Sequence, residues 1–381
     1  MKVLYDYQAF SMQRYGGVSK CFCELIKSLD GSVNYEILIN KSNNTHLRQS
    51  NLCNNLDGGF DYYSFLPNIS FKGKKRLYLA FEKLNLIRTI EKENLSFAKE
   101  NISNREFDVF HPTFYNPYFL ERIGNKPFVL TIHDMMPELF PQFYRQDDPQ
   151  IVWKRKLAQK ASHIIAVSNN TKKDIIKLLG VSPKKISVIY HGGPEVREHI
   201  SDRDYPPYFL FVGMRTGYKN FFYMLDEFGR FNAIHKEYKL ICVGMPFEKN
   251  EKDYIESKGL ANVITCVKAN DTELSSYYAH ARAFVYPSLY EGFGMPILEA
   301  FAAGCPVILN NASCFPEIAG TSAVYFENQK GRSSLFDAFE CVHRMSEQER
   351  ENLIKSGFNR LHFFSWQDSA KKLASVYNMV V

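Results

Sequence analysis

Runs of four or five apolar residues alternate along the chain with stretches in which apolar residues recur every three or four positions. The first pattern reads as strands buried on both faces and the second as amphipathic helices; their alternation predicts strand–helix units building a largely parallel sheet. In the first half, strands are expected at Lys2–Tyr5, Tyr35–Ile39, Val109–His111, Phe128–Thr131, Ile164–Val167 and Ile186–Ile189, with helices such as Val18–Leu29 and Ile151–Ala161 between them. The repetition breaks at His191–Pro207, where Gly-Gly, charges and Pro-Pro accumulate. It restarts with Tyr208–Val212, Lys239–Val243, Val263–Val267, Ala283–Tyr286, Val307–Asn310 and Ala323–Phe326. The break reads as a linker between two doubly wound α/β domains, residues 1–195 and 196–364. The tail, residues 365–381, spaces Trp366, Ala370, Leu373, Ala374 and Tyr377 at three and four positions, which predicts a helix docked on an apolar surface and crossing back to the first domain.

Composition narrows the functional classes. Hydrophobic residues make up 45% and charged residues 23% of the 381 positions, so the chain buries ordinary cores and is neither disordered nor fibrous. The net charge is +6, yet residues 1–195 carry 27 basic and 19 acidic side chains while residues 196–381 carry 20 and 22. The first half is therefore suited to an anionic contact, either a phospholipid surface or a phosphorylated acceptor. The eight cysteines show no CxxC pair and read as small buried residues in a reducing compartment. The start, MKVLYDYQAF, turns polar too early for a signal peptide, and no stretch approaches ~18 uninterrupted apolar residues. The expectation is a cytoplasmic protein, at most peripheral on the inner face of the cell membrane. Phe71–Arg88 mixes Lys72, Lys74, Lys75 and Arg76 with leucines and aromatic residues. It suits an anionic membrane surface that receives a lipid-linked acceptor; the plainer expectation is a helix of the first domain with its apolar side in the core.

Two turns at strand ends carry the candidate chemistry. In Tyr286–Ile308 an apolar strand runs into an acidic, Gly-rich turn and then a helix starting near Met295-Pro296. Proline in the first turn with glycine before it marks a helix start, and the free amides of Gly294 and Met295 would point out of the carboxyl edge of a parallel sheet, where phosphates bind. Glu291 and Glu299 frame the turn. A carboxylate beside a phosphate repels it, so each is expected to accept from hydroxyl groups, which suggests a polyol on either side of a phosphate. In isolation, a capped helix with solvated acids would look the same. In Phe209–Asn220 a buried strand ends in Gly213 and is followed by Arg215 and Lys219. Two cations at strand ends of the same sheet can neutralise a diphosphate leaving group, and with the first turn they describe a nucleotide-sugar pocket.

These motifs resemble those of the retaining family-4 glycosyltransferases of GT-B fold. Glu291 and Glu299 match the E-x7-E signature, and Arg215 with Lys219 match the basic pair. Tyr15–Leu29 is similar to the family's Gly-rich first strand–helix loop, Thr131–Pro141 to its strand-end His-Asp segment, and Val167–Ile175 to its Val-Ser segment. The resemblance covers nearly the whole length and is nearest to polysaccharide and lipopolysaccharide mannosyl- or glucosyltransferases. It implies two Rossmann-like, doubly wound parallel-sheet domains facing across a cleft, the first binding the acceptor and the second the nucleotide-sugar donor. By the same resemblance Arg215 and Lys219 would hold the donor diphosphate, and Glu299 the ribose hydroxyls. Glu291 with the amides of Gly292, Phe293, Gly294 and Met295 would hold the transferred sugar, and Gly16 and Gly17 would approach the diphosphate from the other domain. His133 would sit beside the sugar at the reacting centre, and the loop at Val267 and Lys268 would read the base through backbone groups. Arg215 stands two residues after Gly213 where many members place it one after, which weakens its phosphate role. No role attaches to His191, which with Gly192 replaces the Asn-Gly of many members.

The implied reaction is retaining transfer of a hexose, mannose or glucose, from a nucleotide diphosphate sugar to a saccharide or lipid-linked saccharide acceptor. Front-face attack needs no protein nucleophile, which fits a chain offering no compelling Ser-His-Asp or Cys-His set. No metal or other cofactor is expected, because the one D-x-D, Asp202-Arg203-Asp204, stands in the linker before Pro206-Pro207. The lack of a P-loop, H-E-x-x-H or G-x-G-x-x-G disfavours ATPase, zinc hydrolase and simple dehydrogenase readings, and no nucleic-acid partner is expected. Two rivals are a sugar-nucleotide epimerase of the same architecture, which leaves the basic pair and E-x7-E unexplained, and a catalytically silent nucleotide-sugar-binding scaffold. The joint presence of both glutamates, the lysine and the histidine weakens the scaffold reading.

Overall fold

The computed structural model describes residues 1–54, 56–69, 71–145, 147–196, 206–327 and 333–381. Its strands fall within a residue or two of the predicted positions. In the first domain they are β1 (Lys2–Asp6), β2 (Asn34–Leu38), β3 (Val109–His111), β4 (Val129–Ile132), β5 (His163–Ala166) and β6 (Ile186–Val188). β2-β1-β3 and β4-β5-β6 form parallel ladders, joined side by side by a single bridge between Phe110 and Phe128. The second domain holds β7 (Tyr208–Val212), β8 (Lys239–Val243), β9 (Ile264–Val267), β10 (Ala283–Tyr286), β11 (Val307–Asn310) and β12 (Val324–Phe326). These pair in parallel in the order β12-β11-β10-β7-β8-β9.

The continuous apolar runs are explained by burial on both faces. Along β7, Tyr208 and Leu210 enter the cluster with Leu298 and Phe301, while Phe209 and Phe211 enter the opposite one with Phe228 and Phe339. The order reverses between β7 and β10, and ligands of doubly wound sheets bind outside the carboxyl ends at such a point. Both sequence-predicted turns of the second domain leave from these two strands.

The tail forms a helix, Trp366–Val380, whose N-terminus is capped by Ser365. It packs on the first domain, with Leu373, Val376 and Tyr377 in the same core as Val3, Phe22 and Ile132. The Tyr377 hydroxyl lies 2.6 Å from both the Tyr5 hydroxyl and His111 Nδ1. Two expectations are corrected. The helix within Phe71–Arg88, Lys74–Lys83, has no buried residue, so its apolar side is not in the core. Three-and-four spacing shows that a face is apolar; it does not show that a core lies opposite. All eight cysteines are free, but Cys341 is exposed and Cys53 and Cys266 are only half-buried. Most of the linker, including Asp202-Arg203-Asp204, lies outside the described residues.

Candidate active site in the interdomain cleft

After β7, Gly213 takes φ +118 and a short 3-10 turn, Gly217–Lys219, swings Lys219 back over the sheet. Lys219 Nζ lies 2.5 Å from Glu291 Oε1, 3.4 Å from the Tyr286 hydroxyl, and 5.2 Å from the ring centres of Tyr218 and Tyr286. The two paired side chains are only 12% and 10% exposed, and the aromatic faces complement the desolvated ammonium. Burial, and after it the Glu291 charge, push the Tyr286 phenol well above its ordinary range, so it stays a donor.

After β10 the backbone at Glu291 is bracketed by Ser313: its N–H donates to Ser313 Oγ at 3.1 Å, and the Ser313 hydroxyl donates to its carbonyl at 2.8 Å. Gly294, at φ +91, turns the chain into the helix Met295–Ala302, with Pro296 in its first turn and no side chain capping its N-terminus. Pro296 carries no N–H and the Ile297 N–H donates to the Gly294 carbonyl at 2.9 Å, so the Met295 amide is the first-turn donor left to meet an anion.

At Gly292 the backbones of the two domains come into close contact. A Cβ there would overlap the His133 carbonyl oxygen, so only glycine fits. The Gly292 carbonyl accepts from Ser168 Oγ at 2.7 Å and Thr171 Oγ1 at 3.2 Å, both in the first domain. His133 follows β4; its N–H donates to the Tyr115 hydroxyl at 3.2 Å, and its ring lies 5.9 Å from those of Phe22 and His191. Its Nε2 is buried without a hydrogen-bond partner among the described residues. Burial depresses its pKa to about 4, Lys154 adding to the shift and Asp134 opposing it, so the imidazole is neutral at neutral pH. Beneath this loop a buried ion pair fixes the backbone: Lys154 Nζ lies 3.0 Å from Glu138 Oε2 and 3.0 Å from the Asp134 carbonyl.

The other end of the cleft gathers Glu299 and the Gly-rich loop. Gly16, extended, caps the helix Gly17–Lys27 without a side-chain bond, and one turn later Lys20 Nζ lies 3.5 Å from Glu299 Oε1. The Tyr278 hydroxyl donates to Glu299 Oε2 at 3.4 Å. Lys20, Glu195, Ser275, Tyr278 and Glu299 line a small cavity here. Val267 ends β9 with its carbonyl accepting from the Gly244 N–H at 3.0 Å, and its side chain packs on the cluster that includes Leu274 and Leu298; exposed Lys268 follows.

Arg215 is the exception. Its guanidinium donates to Glu251 at 2.8 and 3.1 Å and to the carbonyls of Met245 and Pro246 at 2.8 and 3.0 Å. Most of its donors are thus engaged inside the second domain, whereas Lys219 faces Glu291. Sequence reading also missed the residues that hold the cleft together. Glu317 accepts at Oε1 from the Asn169 N–H (2.6 Å) and side-chain amide (2.9 Å), and at Oε2 from the Asn170 N–H (3.0 Å). The Tyr290 hydroxyl donates to Asp174 at 2.7 Å. For Lys20 a signal existed, since it stands one helical turn after Gly16–Gly17; Lys154, Glu138 and Glu317 read as ordinary solvated charges.

Comparison with known proteins bears on this geometry. Residues 194–360 match the family described as glycosyl transferases group 1, and residues 15–193 the family described as glycosyltransferase family 4. The O-antigen chain mannosyltransferase RfbU of Salmonella typhimurium is 30% identical over 224 residues, covering 54% of this chain and 62% of that protein, just under two thirds of its length. The O-antigen chain mannosyltransferase B of Escherichia coli is 26% identical over 305 residues, 71% of this chain and 74% of that one. Among solved structures, HepE of Anabaena in complex with UDP and glucose superposes with a TM-score of 0.72 at 16% identity over 100% of both chains. Sucrose-phosphate synthase from Thermosynechococcus elongatus gives 0.70 at 16% over 100% and 99%. At such identity the likeness is one of fold, the GT-B arrangement of two parallel-sheet domains.

Proposed function

The chain belongs to the family-4 glycosyltransferases, and from that membership we propose that it moves a hexose, mannose first, from a nucleoside diphosphate sugar to a saccharide or lipid-linked saccharide during surface polysaccharide synthesis. The observation that carries this reading is the Lys219–Glu291 pair at the open N-terminus of the Met295–Ala302 helix, with neutral His133 on the facing loop. The mannosyltransferase names of the relatives favour mannose, and the UDP and glucose held by HepE favour a nucleotide-sugar donor.

In this reading the donor diphosphate takes Lys219 and the Met295 amide at the helix start, and Glu291 turns from the ammonium to the sugar hydroxyls. The bond from the anomeric carbon to the diphosphate oxygen breaks, and the acceptor oxygen bonds to the same face of that carbon. The acceptor proton passes to the departing phosphate oxygen. Lys219 and the helix N-terminus stabilise the negative charge that develops there, so the reaction proceeds without metal and with retention. Neutral His133 orients a sugar hydroxyl through its free nitrogen, and Glu299 holds the ribose. The acceptor reaches the cleft from the cytoplasmic side.

The test incubates GDP-, UDP- and ADP-hexoses with a saccharide acceptor, with and without EDTA, and reads the anomeric configuration of the product by NMR. One donor should be consumed equally in EDTA, and Lys219→Ala should lower kcat by about 10²–10³-fold. Nucleotide binding without turnover would indicate a scaffold, epimerisation without transfer an epimerase, and loss of activity in EDTA a metal requirement.

A further inference from the structure

The second domain carries a side-chain cluster that the transfer chemistry does not use, at the edge of its sheet opposite Lys219 and Glu291. The helix Phe221–Ile234 leaves the carboxyl end of β7 and runs back to the amino end of β8. The helix Leu335–Arg344 packs beside it, and Arg282, just before β10, donates to the Val342 and Met345 carbonyls at 3.2 and 3.1 Å, so this helix ends at the same amino edge. His235 closes the first helix and His343 stands in the last turn of the second. Their ring centres are 4.0 Å apart. One ligand atom from each, together with a carboxylate oxygen of Glu237, lie within 4.8 Å of one another. Aromatic rings wall the pair: Phe231 lies 4.5 Å from His235, and Tyr238 lies 5.6 Å from His343. Glu237 is exposed, so the cluster opens to solvent on that side.

Each imidazole already has one nitrogen held by an oxygen. His235 Nε2 lies 2.7 Å from Glu340 Oε1, and His343 Nδ1 lies 3.1 Å from the Tyr238 hydroxyl. With the protons on those two nitrogens, the neutral rings keep a lone pair on His235 Nδ1 and on His343 Nε2. A ring oriented by an outer oxygen and offering its other nitrogen is the form in which histidine binds a metal. Glu340 also accepts from Arg344 at 2.6 Å, which anchors it as an outer partner and occupies the cation on that turn. We propose that His235, His343 and Glu237 bind one zinc ion, with water completing four-coordination. Two imidazoles and a carboxylate suit zinc, whereas magnesium and calcium take sets of oxygens. The ion would join the ends of two helices that stand near the start and the end of the second domain's sequence, and so stabilise that domain as folded. Because the cluster and the cleft lie at opposite edges of the sheet, the ion takes no part in transfer, and the site stands independently of the transferase reading.

The test strips the full chain with EDTA, removes the chelator, and titrates Zn2+ by calorimetry beside a thermal melt. One zinc should bind per chain and raise the melting temperature by about 5–10 °C at roughly a hundredfold excess over its Kd, while Mg2+ should do neither. His343→Asn and Glu237→Gln should each weaken zinc by more than about 100-fold, and Glu340→Gln, which removes only an outer partner, by about 10–100-fold. Glu237 is exposed, so its variant keeps the fold whatever the histidines contribute to packing. Cys341→Ser, exposed on the same helix, should change nothing. No zinc bound, an equal response to Mg2+, zinc bound as tightly in both His343→Asn and Glu237→Gln, or zinc lost in Cys341→Ser overturns the proposal. The nucleotide-induced thermal shift is read with and without zinc and should be the same. A shift that needs zinc overturns the assignment to stability alone, and a zinc-binding protein that ignores every nucleotide removes only the transferase reading.

Discussion

Gly292 shows how much one position can decide. Its carbonyl is held by Ser168 and Thr171, so the backbone cannot retreat from His133 if a side chain is added. Gly292→Ala should therefore keep both domains folded but prevent their close approach, lowering kcat/KM by about 10²-fold with a small change in melting temperature. Steady-state kinetics beside a thermal melt check this; unchanged kcat/KM would refute it. The buried histidines make a second prediction. Burial lowers His111 to about 3, His133 to about 4 and His191 to about 3. Each folded pKa lies below the unfolded value of about 6.5, so as pH falls the unfolded chain takes up protons first. The stability these groups contribute is complete above about pH 6.5 and is lost as pH falls toward about 4. Melts across that window should show a steep fall, shallower in His133→Asn. At this scale the places of Glu291, Glu299 and Lys219, at the strand-end turns and on the helix that follows, were legible because their motifs are local. The bond from Arg215 to Glu251 was not, because its partner stands 36 positions away.

Among the elements, strands were read well because burial on both faces leaves a continuous apolar run that few helices imitate. The terminal helix was legible through its spacing, but not its fastening. Tyr377 bonds Tyr5 and His111 at the centre of the first domain, and Tyr377→Phe leaves both buried groups short of a partner. The variant should lose about 1–3 kcal/mol, read as a lower denaturant midpoint with unchanged slope and near-normal turnover. The Lys74–Lys83 helix is the counter-example, since the same periodicity that docks the tail on a core here leaves leucines in solvent.

Across the whole molecule the two domains are held by groups from opposite sides of the cleft. Glu317 supplies a carboxylate to the N-terminus of the Asn169–Leu179 helix, where a negative charge is favoured by the open amides and the helix dipole. Glu317→Ala removes about 1–2 kcal/mol from the closed arrangement alone, shifting its population about tenfold. Donor KM should rise and kcat fall several-fold, with a larger radius of gyration at saturating nucleotide by small-angle scattering. An unchanged radius would mean that closure does not depend on this contact. By itself the sequence determined the class of fold, the two sheets and the turns at their strand ends. These follow from periodicity and from glycine and proline at fixed offsets, which are local. Only the tertiary structure decided that Arg215 belongs to Glu251, that Gly292 meets His133, and that the leucines near Leu84 face outward. Such outcomes depend on which distant segments come together, and a pairing between distant residues leaves no period in the chain.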